Sequence, residues 1–150
     1  MRAVVQRVKN ARVHINGEVV SEISQGLLVL LGIEVRDIKA AADYLAGKIV
    51  HLRIFEDSAG KMNLSVNDIG GELMIVSQFT LYGDCRKGNR PSFIEAAKQE
   101  VAKPLYDYFL ECVGKLSNTA VKAGVFSADM KVELINDGPV TILIDSGKSF

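Results

Sequence analysis

The sequence predicts an α+β fold: a curled, mostly antiparallel β-sheet with a barrel-like core and two or three helices packed outside it. Three observations carry this. About eight strand-like runs are joined mostly by short turn signals. The helical periodicity comes in two separate blocks and does not alternate with single strands, which argues against βαβ units. A chain of 150 residues with 48% hydrophobic composition also suits one compact domain, residues 1–150, with a real core.

Residues 3–8 (AVVQRV) read as the first strand. Residues 11–15 and 18–23 flank Asn16-Gly17, a strong hairpin signal because a type I′ turn needs positive φ at both central residues. The run GLLVLLGI (26–33) is continuously apolar and of strand length, so it should be a central strand buried on both faces. Ile38, Ala41, Leu45, Ile49 and Leu52 recur at helical spacing, which predicts a helix from Asp37 to Leu52 with Asp37 as its cap. Residues 52–56 read as a strand, 57–60 and 67–71 as turns, and 72–82 (ELMIVSQFTLY) as a long strand. GDCRKGNR (83–90) is a basic, Gly-rich loop. Ser92 and Glu95 form a capping box that opens a helix at PSFIEAA. Pro104 should break or kink it, leaving a second helical piece to about residue 116. Residues 119–126, 131–136 and 139–145 are three closing strands.

The bulk numbers exclude several classes. Lys and Arg number 18 and so do Asp and Glu, so broad electrostatic binding of nucleic acid is not expected, though a local basic patch is allowed. Cys85 and Cys112 have no CxxC or Cys/His spacing, which points to free thiols in a reducing compartment and away from a zinc site. No signal peptide or membrane span is visible, and a cytoplasmic protein is expected. Walker, GxSxG, HExxH and GxGxxG motifs are all missing. His14 and His51 have no sequence partners that suggest a triad and read as structural or surface residues.

Two stretches interrupt the pattern. In Ser77-Gln78-Phe79-Thr80-Leu81, polar groups break an apolar strand. Ordinary β-propensity accounts for them, and so does a strand end whose N–H groups and hydroxyls hold an oxyanion. In Asn136-Asp137-Gly138-Pro139-Val140-Thr141 the residue types fit a turn before the last strand. The alternative is a cis Gly-Pro peptide with two carbonyls exposed on one side. Arg7 is also unusual, lying within an apolar strand, where an arginine either snorkels or acts as a rigid fork for carbonyls or carboxylates. Arg86, Lys87 and Arg90 are either a solvated loop or phosphate contacts.

SQFTL (77–81) and NDGPVT (136–141) together resemble the two signature motifs of the D-aminoacyl-tRNA deacylase family. MRAVVQRV, GLLVLLGI, LRIFEDSAGKMNLSV (52–66), GDCRKGNRPSF (83–93) and GVFSADM (124–130) match as well, so the resemblance runs through the whole chain in order. SEISQG (21–26) departs mildly, with less glycine than the family pattern, and lies outside both motifs.

The resemblance implies an esterase that removes D-amino acids, and achiral glycine, from tRNA. It implies a homodimer with the active site at the subunit interface, and neither cofactor, metal nor membrane. Gly138 and Pro139 of one subunit would enter the other's pocket and crowd the space an L side chain needs, with Asn136, Val140 and Thr141 flanking them and Arg7 holding their carbonyls. Ser77, Gln78, Phe79 and Thr80 would line the ester, Phe79's N–H facing the oxyanion. Phe126 and Met130 would border the terminal adenine. Arg86, Lys87 and Arg90 would meet the acceptor end. Thr80 is the candidate nucleophile by position; the preferred reading is that the ribose 2′-hydroxyl assists, because Thr80 has no evident base. The rivals are a non-catalytic RNA 3′-end binding module and a structural dimer in which Gly-Pro merely turns the chain.

Overall fold

A computed structural model describes residues 1–150. In chain order the elements are β1 (Arg2–Ile15), β2 (Glu18–Ile23), β3 (Gly26–Gly32), α1 (Lys39–Val50), β4 (Phe55–Glu56), β5 (Met62–Leu64), β6 (Glu72–Ser77), a 3-10 turn (Phe79–Tyr82), α2 (Gln99–Leu116), β7 (Val121–Ala123) and β8 (Lys131–Asp145). Asn16 and Gly17 hold φ of 52° and 85° and fold β1 back onto β2 as the dipeptide dictates. β3 then pairs antiparallel with the first half of β1, while β8 runs antiparallel along β1 from Arg2 to His14. A strand has two edges, so β8 occupies one and β3 followed by β2 the other.

Beyond β3 the sheet turns parallel, through β6 to β7. The ends of the path β2-β1-β3-β6-β7 approach each other, since β2 touches both β6 and β7. The sheet is therefore mixed, antiparallel around β1 and parallel beyond β3, with a nearly closed, barrel-like curl and two helices outside. No helix is long and apolar enough to cross a membrane.

The curl produces two cores. Leu27, Val29, Leu31, Leu73 and Ile75 face the helices, joined by Leu45 and Ile49 of α1 and Tyr106, Phe109 and Val113 of α2. Leu28, Met74, Val76, Val8, Ala11, Val13 and Ile23 form the smaller cluster on the other face. β3 feeds both, which is why its sequence is apolar without alternation. β1 also feeds both: Ala3 and Val5 lie in the helix-facing core, and after a register irregularity between Val8 and Asn10, Ala11 and Val13 lie in the other.

Several boundaries differ from the sequence reading. Asp37 does not cap α1; its carboxylate accepts from the Met1 amino group (2.5 Å) and the Glu34 N–H (2.8 Å). The Ser92/Glu95 box opens no helix. Ser92 instead exchanges both backbone hydrogen bonds with Asp84, and Ala96 bridges Glu34, so tertiary partners take the groups that capping would have used. α2 begins at Gln99 and runs through Pro104 unbroken. Its first turn is tightened, with the Val101 and Ala102 N–H groups both on the Lys98 carbonyl. The predicted 72–82 strand stops at Ser77, 119–126 shrinks to 121–123 and 52–56 to 55–56, while β5 carried no clear signal. Residues 3–8 and 11–15 are one strand, and 131–136 and 139–145 are one strand.

Gly26 marks the tightest point in the sheet. A Cβ there would fall 1.8 Å from the backbone oxygen of Glu72 in β6, which cannot move without breaking the parallel ladder. Gly26→Ala should lower unfolding free energy by about 3 kcal/mol or more, read as a shifted urea midpoint.

Candidate active site

The β3–β6 ladder runs out at Leu31 and Ser77, and its last bond is from the Gln78 N–H to the Leu31 carbonyl, 2.8 Å. Gln78 then leaves the sheet (φ −144°, ψ 82°) and the 3-10 turn folds back over the end of β3. Gly32 makes that possible, because a Cβ there would come within 3.0 Å of the Leu81 Cβ and 3.1 Å of the Gln78 carbonyl oxygen. The Gln78 Nε2 donates to Thr80 Oγ1 at 2.5 Å. The N–H groups of Phe79 and Thr80, first in the turn, have no acceptor within the chain. Phe79 is 57% exposed and meets Phe93 edge-to-face, ring centroids 5.1 Å apart.

Beside this turn opens a mostly apolar cavity of about 440 Å³. Ser77, Gln78 and Phe79 line it together with Phe126, Met130, Leu31 and Ile33. Gly124 abuts Met130, whose sulfur a Cβ would meet at 2.7 Å. The Phe126 ring lies 5.4 Å from that of Tyr106, and the buried Tyr106 hydroxyl donates to the Ile75 carbonyl at 2.9 Å. Two stretches separated by almost fifty residues thus line one cavity. Thr80 is exposed at the turn and does not line the cavity.

Ala97, Gln99, Ala102 and Ser127 also line the cavity, and sequence reasoning passed over all four. Ser127 holds φ 63° and its hydroxyl donates to Gln99 Oε1 at 3.4 Å. The only sequence signal was that Ala97 and Ala102 are small where a wall needs room, and alanine is too common in helices to carry that meaning alone.

NDGPVT is not a chain reversal. Both halves of β8 run antiparallel to β1, with Gln6 opposite Thr141 and Val8 opposite Asn136, so residues 137–140 bulge out against Arg7 alone. The Gly138–Pro139 peptide is cis, and both residues are exposed, outside the cavity of their own chain. The Asn136 side chain ties the bulge: its Oδ1 accepts from the Val140 N–H at 2.8 Å, and its Nδ2 donates to the Val140 carbonyl at 3.3 Å and Thr141 Oγ1 at 3.4 Å. Gly138 has φ 144°, and a Cβ there would meet Val140 Cγ2 at 2.6 Å.

Arg7 is buried behind the bulge and acts as a fork for carbonyls. Its Nε donates to the Asp137 carbonyl at 2.8 Å and its Nη1 to the Ile54 carbonyl at 2.7 Å. The hydrogen bond therefore falls on the residue before Gly138, not on the Gly-Pro carbonyls themselves. The Asp137 carboxylate sits 3.7 Å from Arg7 Nε and 3.2 Å from Lys9 Nζ.

The basic loop divides. Arg86 grips Asp84 through Nε and Nη2, both at 2.8 Å, and those hydrogen bonds hold the Asp84 carboxyl well below the usual carboxylate range. Lys87 and Arg90 are exposed and form no ion pair. His14 faces Glu133 at 3.1 Å, and His51 Nδ1 donates to the Gly47 carbonyl at 2.8 Å; neither lines the cavity. Cys85 is exposed and Cys112 buried, both free, the Cys112 thiol donating to Asp43 at 3.2 Å.

Residues 4–145 match the family model described as D-Tyr-tRNA(Tyr) deacylase. The chain is 57% identical over 150 residues to the D-aminoacyl-tRNA deacylase of Thermosipho melanesiensis, and 59% identical to that of Natranaerobius thermophilus, each match covering 100% of both chains. Among solved structures it superposes on a c-Myc DNA Unwinding Element Binding Protein with a TM-score of 0.92 and 44% identity, covering 97% of this chain and 98% of that one. It also shares the fold of a probable eukaryotic D-amino acid tRNA deacylase, with a TM-score of 0.81 at 20% identity, covering 95% and 97%. The 3-10 turn and the β8 bulge thus stand in a chain that belongs to the D-Tyr-tRNA deacylase family, hydrolases acting on the ester bond of D-aminoacyl-tRNA.

Proposed function

We propose that the enzyme is a chiral proofreader working as a homodimer, in which Gly138 and Pro139 of one subunit sit over the other's cavity near Thr80. The observation that carries this reading is that the turn and the bulge each expose backbone that nothing in their own chain covers. The turn beside the cavity leaves the Phe79 and Thr80 N–H groups without an acceptor in their own chain. The bulge presents Gly138 and Pro139 to solvent. β8 also has a free edge, since it pairs only with β1, and it exposes Ile135 and Leu143.

In this arrangement the terminal adenine lies between Phe126 and Met130, and the ester reaches the turn. The N–H groups of Phe79 and Thr80 receive the developing oxyanion, and Gln78 fixes the Thr80 hydroxyl. The Gly138 and Pro139 carbonyls crowd the position of an L side chain. A glycyl ester has no side chain to crowd, so glycine is removed along with D-amino acids. The cavity lining holds one carboxylate and no histidine, and that carboxylate, Asp129, is paired with Lys131 at 2.9 Å. Water activation therefore falls to the ribose 2′-hydroxyl, with the protein orienting an already reactive ester. The free thiols and the tRNA substrate fit the cytoplasm.

D- and L-tyrosyl esters of one tRNA should differ in kcat/KM by at least about a hundredfold in favour of D, about 2.7 kcal/mol in the barrier; equal rates refute the filter. Release of D-tyrosine also excludes a module that only binds RNA ends. Thr80→Val should retain most turnover, whereas a substrate ending in 2′-deoxyadenosine should be cleaved far more slowly. The reverse result would make Thr80 the nucleophile. Lys87→Glu with Arg90→Glu should raise KM for tRNA most at low salt. Arg86→Glu should do less, because Arg86 is already committed to Asp84. A KM unchanged across salt would remove the loop from the tRNA interface.

A further inference from the structure

We propose that Arg2 is a positioning residue for deacylation, clamping the far end of the turn that presents Phe79 and Thr80. The proposal rests on the role given to that turn above.

The start of the turn is well tied, by the Gln78 N–H on the Leu31 carbonyl and by the Gln78 amide on Thr80 Oγ1. Its end depends on Gly83, whose N–H bonds the Thr80 carbonyl at 2.9 Å, and on Arg2. Arg2 opens β1, in register with Gly32 of β3 and Asp145 of β8, so its backbone is fixed on both edges. Its side chain crosses to the turn. Nη1 donates to the Leu81 carbonyl at 3.1 Å, and the guanidinium carbon lies 4.5 Å from the centre of the Tyr82 ring and 5.7 Å from that of Phe150.

Two features separate this arginine from an ordinary surface cation. It makes no ion pair, and its single hydrogen bond goes to the residue after Thr80. It is also the only charged side chain bonded to the turn, at the carbonyl end, where a cation is favoured. Tyr82, against which it stacks, is buried; burial first, then Asp37 and Glu34, push its hydroxyl upward in pKa, so the ring stays neutral under the guanidinium. The clamp joins the rigid sheet to an exposed turn whose N–H direction decides how well an oxyanion is held. Misplacing such donors by about 1 Å can cost about a hundredfold in rate.

The test compares Arg2→Met, Arg2→Lys and Leu45→Ala with the parent on D-tyrosyl-tRNA, below all four melting temperatures. Arg2→Met keeps an apolar stem and loses the donor; its kcat should fall at least about tenfold with KM within about twofold, as expected when only the transition state loses an interaction. Arg2→Lys still donates to Leu81 and should recover to within about threefold of the parent. Leu45→Ala opens a cavity beneath α1, away from the turn, and should lower the melting temperature while leaving kcat near the parent value. The proposal fails if Arg2→Met stays within about twofold of the parent, if Arg2→Lys is no better than Arg2→Met, or if kcat merely tracks melting temperature across the set. A parent that releases no D-tyrosine overturns the proposed function as well; an active parent with an unimpaired Arg2→Met overturns this inference alone.

Discussion

The pairing of β1 along both edges is the constraint on which the rest of the molecule hangs. β8 covers one edge from Arg2 to His14, and β3 and β2 share the other. A strand held this way cannot slip, because a shift of one residue would turn Ala3 and Val5 out of the helix-facing core and Val8 out of the second cluster. The backbone of Arg2 and Arg7 is consequently fixed in space. Arg7 lies behind the β8 bulge and Arg2 beside the 3-10 turn, so one rigid strand supports both the bulge and the turn.

The turn and the bulge are each a place where a strand stops following its ladder. β6 ends where Gln78, after bonding the Leu31 carbonyl, turns away, and Gly32 leaves the space into which the turn folds. β8 bulges because residues 137–140 oppose a single residue of β1, and Asn136 and Arg7 satisfy the backbone groups that the ladder gives up. In both cases polar side chains replace sheet hydrogen bonds. That is why SQFT and NDGPVT stand out as polar breaks in apolar surroundings. The broken ladder frees N–H groups at Phe79 and Thr80 and exposes backbone at Gly138, which is what the proposed oxyanion site and steric filter require.

Legibility followed the range of the interactions. The Asn16-Gly17 hairpin and the β3 run were readable because their causes lie within a few residues: the φ signs of a dipeptide and the loss of alternation in a strand buried on both sides. The helical spacing that predicted α1 was readable in the same way, and Leu45 and Ile49 lie on its buried face. The Ser92/Glu95 box misled because a capping signal competes with tertiary partners, and Asp84 and Glu34 offered better ones. Asp37 was drawn from its capping role by the Met1 amino group, thirty-six residues away in the chain.

By itself, then, the sequence determined the fold class, the hairpin, the strand buried on both faces, and the two motifs that name the family. Those depend on residue type and short spacing, which a linear text preserves. Only the tertiary structure decided that NDGPVT is a bulge within one continuous strand, that Arg7 bonds the Asp137 carbonyl, that Ala97 and Ala102 make room for the cavity, and that Arg2 reaches the turn. Each of these depends on which distant backbone group lies within about 3 Å of a donor, and that is set when the sheet curls.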